Sequence, residues 1–245
     1  VVNDTTVNLK PYLSFWVTDS SMTIEEVSLP ENSANFQLLI DPVIEFDNWV
    51  WYRFSLIKSI GLKQDIFLNF NESFYDELLV FTPQQGSWES YVGGLRFPHS
   101  ARPVADGQLV FPVKAKEGEV TDIYFRLKNS NFSLFNPKLQ VAVAYFEETI
   151  ADNKLTMLII GLVMGILVYM VSIAVVVREK KKIVSGALFL FSAFLMVIYY
   201  NGYLFPYMNA VFYWQQPVSL ILFSSMTFWG GFFVLTVLSA EGKLH

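Results

Sequence analysis

The sequence predicts a mainly β, jelly-roll-like sandwich over residues 1–150, followed by an α-helical bundle of three membrane spans. The first part of the chain carries short stretches rich in β-branched and aromatic residues, separated by turn signals. The last third contains three long apolar runs, at residues 155–177, 183–205 and 218–239. A chain divided in this way is expected to be a membrane protein with a large external head.

Eight strands are predicted in the head, with turn signals such as Gln85-Gly86-Ser87 and Gly93-Gly94 between them. Regular strand spacing without a long helical period favours a sandwich or a jelly roll. The predicted strands are residues 12–17, 49–58, 65–71, 77–81, 88–92, 108–113, 120–128 and 139–146.

Alternation of apolar and polar residues assigns the faces of some of these strands. In the strand 120–128, Ile123 and Phe125 should face the core, while Tyr124 and the other alternate residues should be solvated. The strand 139–146 is less clear, because both of its faces are largely apolar.

One short helix is predicted within the head. Thr23 followed three residues later by Glu26 is the pattern of a capping box, which predicts a helix or turn over residues 23–29. Residues 32–47 are the part of the head whose pattern is least readable.

The first apolar run carries no charged residue from 155 to 177. As a helix that rises about 1.5 Å per residue, it reaches roughly 35 Å, enough to cross a hydrocarbon core of about 30 Å. The same length criterion predicts the other two spans.

Basic residues predict the orientation. Residues 178–182 between the first two spans read Arg-Glu-Lys-Lys-Lys, whereas the connection 206–217 has no Lys or Arg. By the positive-inside rule the first loop is cytoplasmic and the second is external. The head is therefore expected outside, and residues 240–245 begin a cytoplasmic segment.

Composition narrows the partners. Residues 1–154 carry a formal charge of −8 and residues 155–245 carry +3, and an acidic head argues against a nucleic-acid partner. There is no Cys, so the head has no disulfides.

Val1-Val2-Asn3-Asp4 lacks the pattern of an export signal, which we expect to have preceded it in a longer chain.

No catalytic constellation is found in the sequence. The histidines are His99 and His245, and neither a glycine-rich phosphate loop nor a nucleophile elbow is present. Without Cys there is no thiol nucleophile and no thiolate metal site. We therefore predict no enzyme activity, no metal and no cofactor.

The loop 96–103 is the most polar and aromatic cluster of the head, and it supplies three candidate ligand-binding residues. Arg96, His99 and Arg102 lie on a loop held by two prolines, where they could bind an anionic or hydroxylated ligand. In the alternative, Arg102 anchors the loop to a neighbouring carboxylate and His99 is merely exposed.

Trp49 and Trp51 are the second candidate ligand-binding group. They flank Val50 and share one face of a strand, so both lie in the core or both lie on the surface. If exposed, the pair would offer ring faces on which a sugar could stack; strand tryptophans are more often buried, and the same choice applies to Trp88.

Three residues are candidates for helix packing in the membrane. Gly161 and Gly165 make a Gly-x-x-x-Gly step, which serves packing within the chain or a dimer seam. Asn201 lies among tyrosines near the external interface, where it could hydrogen-bond between helices or simply belong to an interfacial belt.

Several short segments of the head stand in a familiar order. Together they resemble the type 2 periplasmic sensor domain of bacterial seven-transmembrane receptors with diverse intracellular signalling modules. The membrane half fits through residues 161–167 and Asn201-Gly202. The segments are residues 51–56, 78–81, 86–88, 102–103, 109–112 and 123–127.

The resemblance implies a bacterial inner-membrane receptor. In that family a jelly-roll-like sensor domain precedes seven membrane helices and a cytoplasmic kinase, diguanylate cyclase or phosphatase. This chain would hold the sensor domain and the first three spans, and no catalytic residue is implied for it.

Two functions remain open. In the first, the head binds a periplasmic small molecule, a carbohydrate among them, or a protein, and the helices transmit to a cytoplasmic output outside this chain. In the second, the chain is a non-enzymatic assembly or scaffold subunit of an envelope complex, anchored by three helices. Membrane lipid is a partner in both, and a homodimer or larger membrane complex is compatible with either.

Overall fold

The computed structural model describes residues 6–18, 22–39, 49–61, 63–128, 135–176, 180–204 and 212–240. In these ranges the chain forms two antiparallel sheets followed by three long apolar helices, which confirms the predicted fold class of a β head and a helical bundle. The strands are β1 (Thr6–Asn8), β2 (Ser14–Thr18), β3 (Gln37–Leu38), β4 (Trp49–Ile57), β5 (Ile66–Asn69), β6 (Glu77–Gln84), β7 (Ser87–Gly93), β8 (Val110–Val113), β9 (Val120–Lys128) and β10 (Lys138–Val141). The helices are α1 (Ile24–Val27), α2 (Ala142–Val176), α3 (Lys180–Tyr200) and α4 (Phe212–Ala240).

The two sheets of the head pack face to face as a sandwich. One has the strand order β3-β2-β4-β9-β6-β7 and the other β1-β10-β5-β8. Phe54 and Phe125 from the larger sheet and Leu68 and Phe111 from the smaller one belong to a single buried cluster between them. Burial of this apolar surface, at about 25 cal/mol per Å², is the main force that holds the sheets together.

Two strands of the head were absent from the predicted set. β1 is three residues long and β3 is two residues long, and both lie at a sheet edge. A strand this short has too few residues to show an alternating pattern.

The β6–β7 hairpin has the tight turn that its sequence predicts. Gln84 pairs with Ser87, so that two residues, Gln85 and Gly86, make the connection. Both have positive φ, at 45° and 85°, as a type I′ turn requires.

The predicted capping box forms at the start of α1. Thr23 Oγ1 accepts a hydrogen bond from the Glu26 backbone N–H at 3.4 Å, and the Thr23 N–H donates to Glu26 Oε2 at 2.8 Å. Ile24 and Val27 of this helix join a second apolar cluster, on the outer face of the six-stranded sheet.

The second cluster shows that one residue predicted to be solvated is buried. Ile123 and Phe125 are fully buried as predicted, but Tyr124, predicted to be solvated, is only 4% exposed. Alternation correctly directs Tyr124 away from the inner core, yet α1 and the ring of Trp88 cover it from outside.

The last predicted strand, 139–146, is wrong beyond Val141, because α2 begins at Ala142. The alternating apolar residues of this segment do not distinguish a strand from the start of a helix. In the structure, Tyr145 and Phe146 occupy the first turns of α2, where both contact the ring of Phe67.

Helices α2, α3 and α4 are long and apolar enough to cross a membrane. α2 starts thirteen residues before the predicted span 155–177, since its polar first turns belong to the head. Both predicted loops are partly helical, since residues 180–182 belong to α3 and residues 212–217 belong to α4. Residues 178–179 and 206–211, and the tail beyond Ala240, fall outside the described residues.

Candidate ligand-binding site

The loop after β7 brings two predicted ligand-binding residues together. His99 opens a single 3-10 turn, His99–Ala101. Its Nε2 lies 3.1 Å from the carbonyl oxygen of Asp106 and donates to it in the Nε2-protonated tautomer, and Arg102 Nη1 donates to the same oxygen at 3.2 Å. Two of the three candidate ligand-binding residues of this loop therefore converge on one backbone oxygen.

Arg102 and Arg96 have different roles in holding this loop. Arg102 also donates to the Gly107 carbonyl at 3.2 Å; burial lowers the pKa of Arg102 to about 10, and the nearby Asp106 opposes that shift. Arg96 makes an ion pair with the neighbouring strand β6, since its Nη1 lies 2.6 Å from Glu77 Oε1. Both arginines contact the protein itself rather than pointing together at one open site.

Asp106 is a central residue that sequence reasoning missed. Besides its carbonyl contacts, its carboxylate accepts hydrogen bonds from the Gln108 N–H at 3.0 Å and from the hydroxyl of Tyr145. The Asp-Gly pair at 106–107 reads as a turn, and an Asp that accepts from the backbone two residues on is a typical turn residue. Its contact with Tyr145, 39 positions away, has no local signal in the sequence.

Trp49 and Trp51 do share a face, and both are buried. Trp51 stacks on Phe81 with 5.4 Å between ring centroids. The guanidinium carbon of Arg126 lies 4.0 Å from the centroid of the Trp49 ring. This burial removes the exposure on which a stacking platform at this pair depended.

Trp88 instead lies at an open cleft of about 470 Å³. The walls of the cleft come from the β6–β7 hairpin, the segment after β8 and the start of β9. Trp88 is half-buried and packs edge-on against Tyr124, with 5.4 Å between ring centroids. The polar residues that line the cleft are Gln85, Lys114, Lys116, Glu119, Thr121 and Asp122.

Both lysines that line this cleft are paired with carboxylates. Lys114 Nζ lies 2.7 Å from Glu89 Oε2, and Lys116 Nζ lies 3.3 Å from Glu119 Oε2. The hydrogen bond from Lys114 lowers the pKa of the Glu89 carboxyl and in turn raises the pKa of Lys114. The cleft thus offers an aromatic ring and hydrogen-bonding groups with nearly balanced charge. Across the described ranges, no group of three or more His, Asp or Glu is placed to bind a metal ion.

The candidate packing glycines of the first span make no close approach in the part of the chain that the structure describes. A side chain added at Gly161 or Gly165 would meet no atom within 4 Å. The close approaches belong to Gly186, where an added Cβ would lie 3.1 Å from the Phe233 ring, and Gly230, where it would lie 3.1 Å from Phe189. These two glycines allow α3 and α4 to approach closely. The sequence did not predict this contact, because neither is part of a Gly-x-x-x-Gly step.

The polar candidate of the second span bonds within its own helix end. Asn201 Nδ2 donates to the Val197 carbonyl at 2.8 Å. A hydrogen bond to α2 is made instead by Tyr203, whose hydroxyl donates to Asn153 Oδ1 at 2.8 Å. Near the middle of α3, Ser192 Oγ lies 2.9 Å from Ser225 Oγ of α4.

Comparison with known proteins adds a family and a weak structural likeness. The family model described as 7TMR-DISM extracellular 2 matches residues 10–140. No curated protein matches the chain. The solved β-glucuronidase from Ruminococcus gnavus in complex with D-glucuronic acid is similar at a TM-score of 0.35 and 15% identity, over 53% of this chain and 23% of that chain. Its complex with D-glucaro 1,5-lactone gives a TM-score of 0.30 and 16% identity, over the same shares.

Proposed function

The chain belongs to the 7TMR-DISM extracellular 2 family, a receptor family rather than an enzyme family, and on that premise we propose that its head binds a small ligand and that its helices transmit the bound state. The head lies outside the cytoplasm and the output lies beyond this chain, on the cytoplasmic side of a bacterial inner membrane. The combination of a sensor-type domain with three apolar helices supports a membrane receptor.

The cleft at Trp88 is the observation that carries the ligand-binding part of this proposal. Small-molecule sites are typically concave, with an aromatic or apolar wall and a few polar groups that set orientation. Here the lysines are paired with carboxylates, so the cleft suits a neutral, hydroxylated ligand better than an anion. A carbohydrate has this chemistry, since its apolar ring face stacks on an indole and its hydroxyls accept and donate hydrogen bonds.

The connection between β10 and α2 supports the transmission part. Val141 ends the strand and Ala142 begins the helix, with no loop between them. The same helix then continues to Val176. A displacement of β10 is therefore passed directly to a segment that is long enough to cross a membrane.

Calorimetry with the whole chain in lipid nanodiscs tests the ligand. Titration with a panel of neutral mono- and oligosaccharides should give binding heat for at least one sugar, and Trp88→Ala should weaken it about tenfold or more through the lost stacking surface. Trp16→Ala is the matched control, because Trp16 is a half-buried tryptophan of the same outer cluster that does not line the cleft. Absence of heat with every sugar, or equal weakening by both variants, would contradict the proposal.

The alternative function is an assembly subunit that docks another envelope protein. It is favoured by Val120, which lines the same cleft and is 66% exposed, and by Ile60, which is 85% exposed. Contiguous exposed apolar surface marks protein–protein interaction sites. Co-purification of a partner with the wild-type chain that is lost in Ile60→Ser, together with no sugar binding, would select this alternative.

A further inference from the structure

The first two turns of α2, residues 142–148, are bound to the head by Tyr145. Its side chain is 3% exposed, and its ring centroid lies 5.2 Å from that of Phe67 on β5. Its hydroxyl donates a hydrogen bond to Asp106 Oδ2. A hydrogen bond from a neutral donor to a carboxylate is stronger than a hydrogen bond between two neutral groups.

Glu148, one turn farther along α2, is bound by the smaller sheet. Lys138 Nζ lies 2.7 Å from Glu148 Oε1, and Gln140 Nε2 donates to Glu148 Oε2. Gln140 is fully buried, and its own amide oxygen accepts a hydrogen bond from Asn69 Nδ2 at 3.1 Å. The base of the helix is thus attached to the loop at Tyr145 and to the sheet at Glu148.

Asp106 is the residue shared by the loop and the helix. Its carbonyl oxygen receives His99 and Arg102 from the loop, while its carboxylate receives Tyr145 from the helix. Because both sets of hydrogen bonds meet on one residue, a rearrangement of the loop that moves Asp106 must either break the bond to Tyr145 or move Tyr145 with it.

We propose that Asp106 and Tyr145 couple the loop 94–108 to α2, so that the conformation of this loop sets how firmly the first two turns of α2 are held to the sandwich. A ligand or partner that binds one loop conformation better than the other then shifts the state of the helix base. The role of this coupling in signalling rests on the proposed receptor function. The coupling itself does not depend on which ligand binds.

A double-mutant cycle read by hydrogen–deuterium exchange tests the coupling. The whole chain is placed in lipid nanodiscs without ligand, and the exchange of amides 142–148 is followed in wild type, His99→Ala, Tyr145→Phe and the double variant. His99→Ala removes a hydrogen bond to the Asp106 carbonyl and should speed exchange in 142–148 by about threefold to tenfold. In the Tyr145→Phe background this increase should disappear, because the link is already cut.

Arg96→Ala is the control, since Arg96 lies on the same loop but pairs with Glu77. It should leave exchange in 142–148 unchanged. Equal increments for His99→Ala in both backgrounds, an effect of His99→Ala confined to the loop, or an Arg96→Ala effect of the same size would each overturn the proposal. If Tyr145→Phe does not fold, the contrast between His99→Ala and Arg96→Ala decides alone. The measurement uses no ligand, so failure of sugar binding leaves its result unaffected.

Discussion

Gly94 shows how a single residue can depend on a contact far along the chain. It follows β7 with φ at +107°, and the next two N–H groups, of Leu95 and Arg96, donate to the carbonyls of Tyr75 and Asp76 at 2.8 and 3.0 Å. The chain therefore passes directly against the backbone of residues 75–76. The Gly-Gly pair at 93–94 predicts a turn, but the close approach that makes Gly94 necessary is a tertiary contact.

We predict that Gly94→Ala destabilises the head by about 3 kcal/mol or more. An added Cβ would lie 2.7 Å from the Asp76 carbonyl oxygen, in addition to the strain of positive φ. Gly86→Ala is the matched control, because Gly86 has φ at +85° but no atom within 4 Å of an added Cβ, so it should cost only about 1–2 kcal/mol. Urea unfolding followed by tryptophan fluorescence measures both; equal losses would show that the contact with Asp76 contributes nothing.

At the scale of elements, α2 combines two environments in one helix. Its first turns carry Tyr145, Phe146 and Glu148, which bind the head, whereas the apolar residues that follow from Leu155 onward suit a membrane. Sequence pattern detects the second part because its composition is extreme. It misses the first part, because the choice of helix there depends on packing against Phe67 and on the side chains of β10.

The attachment of α2 at Glu148 should depend on pH. Hydrogen bonds from Lys138 and Gln140 lower the pKa of the Glu148 carboxyl, although burial opposes the shift. A lowered folded-state pKa stabilises the fold above the unfolded value of about 4.3, and that contribution is lost as the pH falls through the folded value.

We therefore expect the unfolding free energy of the wild-type head to fall between about pH 5 and pH 3 more steeply than that of Glu148→Gln. Glu147→Gln serves as the control, since it removes a neighbouring exposed carboxylate and leaves the Lys138 ion pair in place. Thermal unfolding at a series of pH values gives the slopes. Identical slopes for wild type and Glu148→Gln would disprove a role for this carboxylate in acid stability.

At the scale of the whole molecule, the acidic head suits water and the apolar helices suit the hydrocarbon core of a membrane. Three helices qualify as membrane spans in the described part of the chain, and the basic residues Lys180, Lys181 and Lys182 lie at the start of α3. By the positive-inside rule, we expect this end of α3 to lie in the cytoplasm and the head to be exported.

Single cysteines can test this orientation cleanly, because the chain has no Cys of its own. Ser100→Cys in the exposed part of the head should react with a membrane-impermeant maleimide on bacterial cells whose outer membrane alone has been permeabilised. Lys181→Cys should react only after the inner membrane is opened as well. Labelling of Lys181→Cys on closed cells, with Ser100→Cys protected, would establish the reverse topology.

The sequence by itself determined the features that depend on local pattern. Periodicity, turn chemistry and composition are properties of residues that are close together in the chain. They account for the strands β4, β6, β7 and β9, the capping box at Thr23, the hairpin turn at Gln85-Gly86 and the apolar spans.

Only the tertiary structure decided which faces were covered and which polar residues met. The burial of Trp51 and Tyr124 requires α1 to lie on the outer sheet, the opening of a cleft at Trp88 requires two other segments to converge, and Asp106 finds Tyr145 across 39 positions. Such contacts are set by how distant elements pack, since burial and hydrogen bonding depend on position in space and not on separation along the chain.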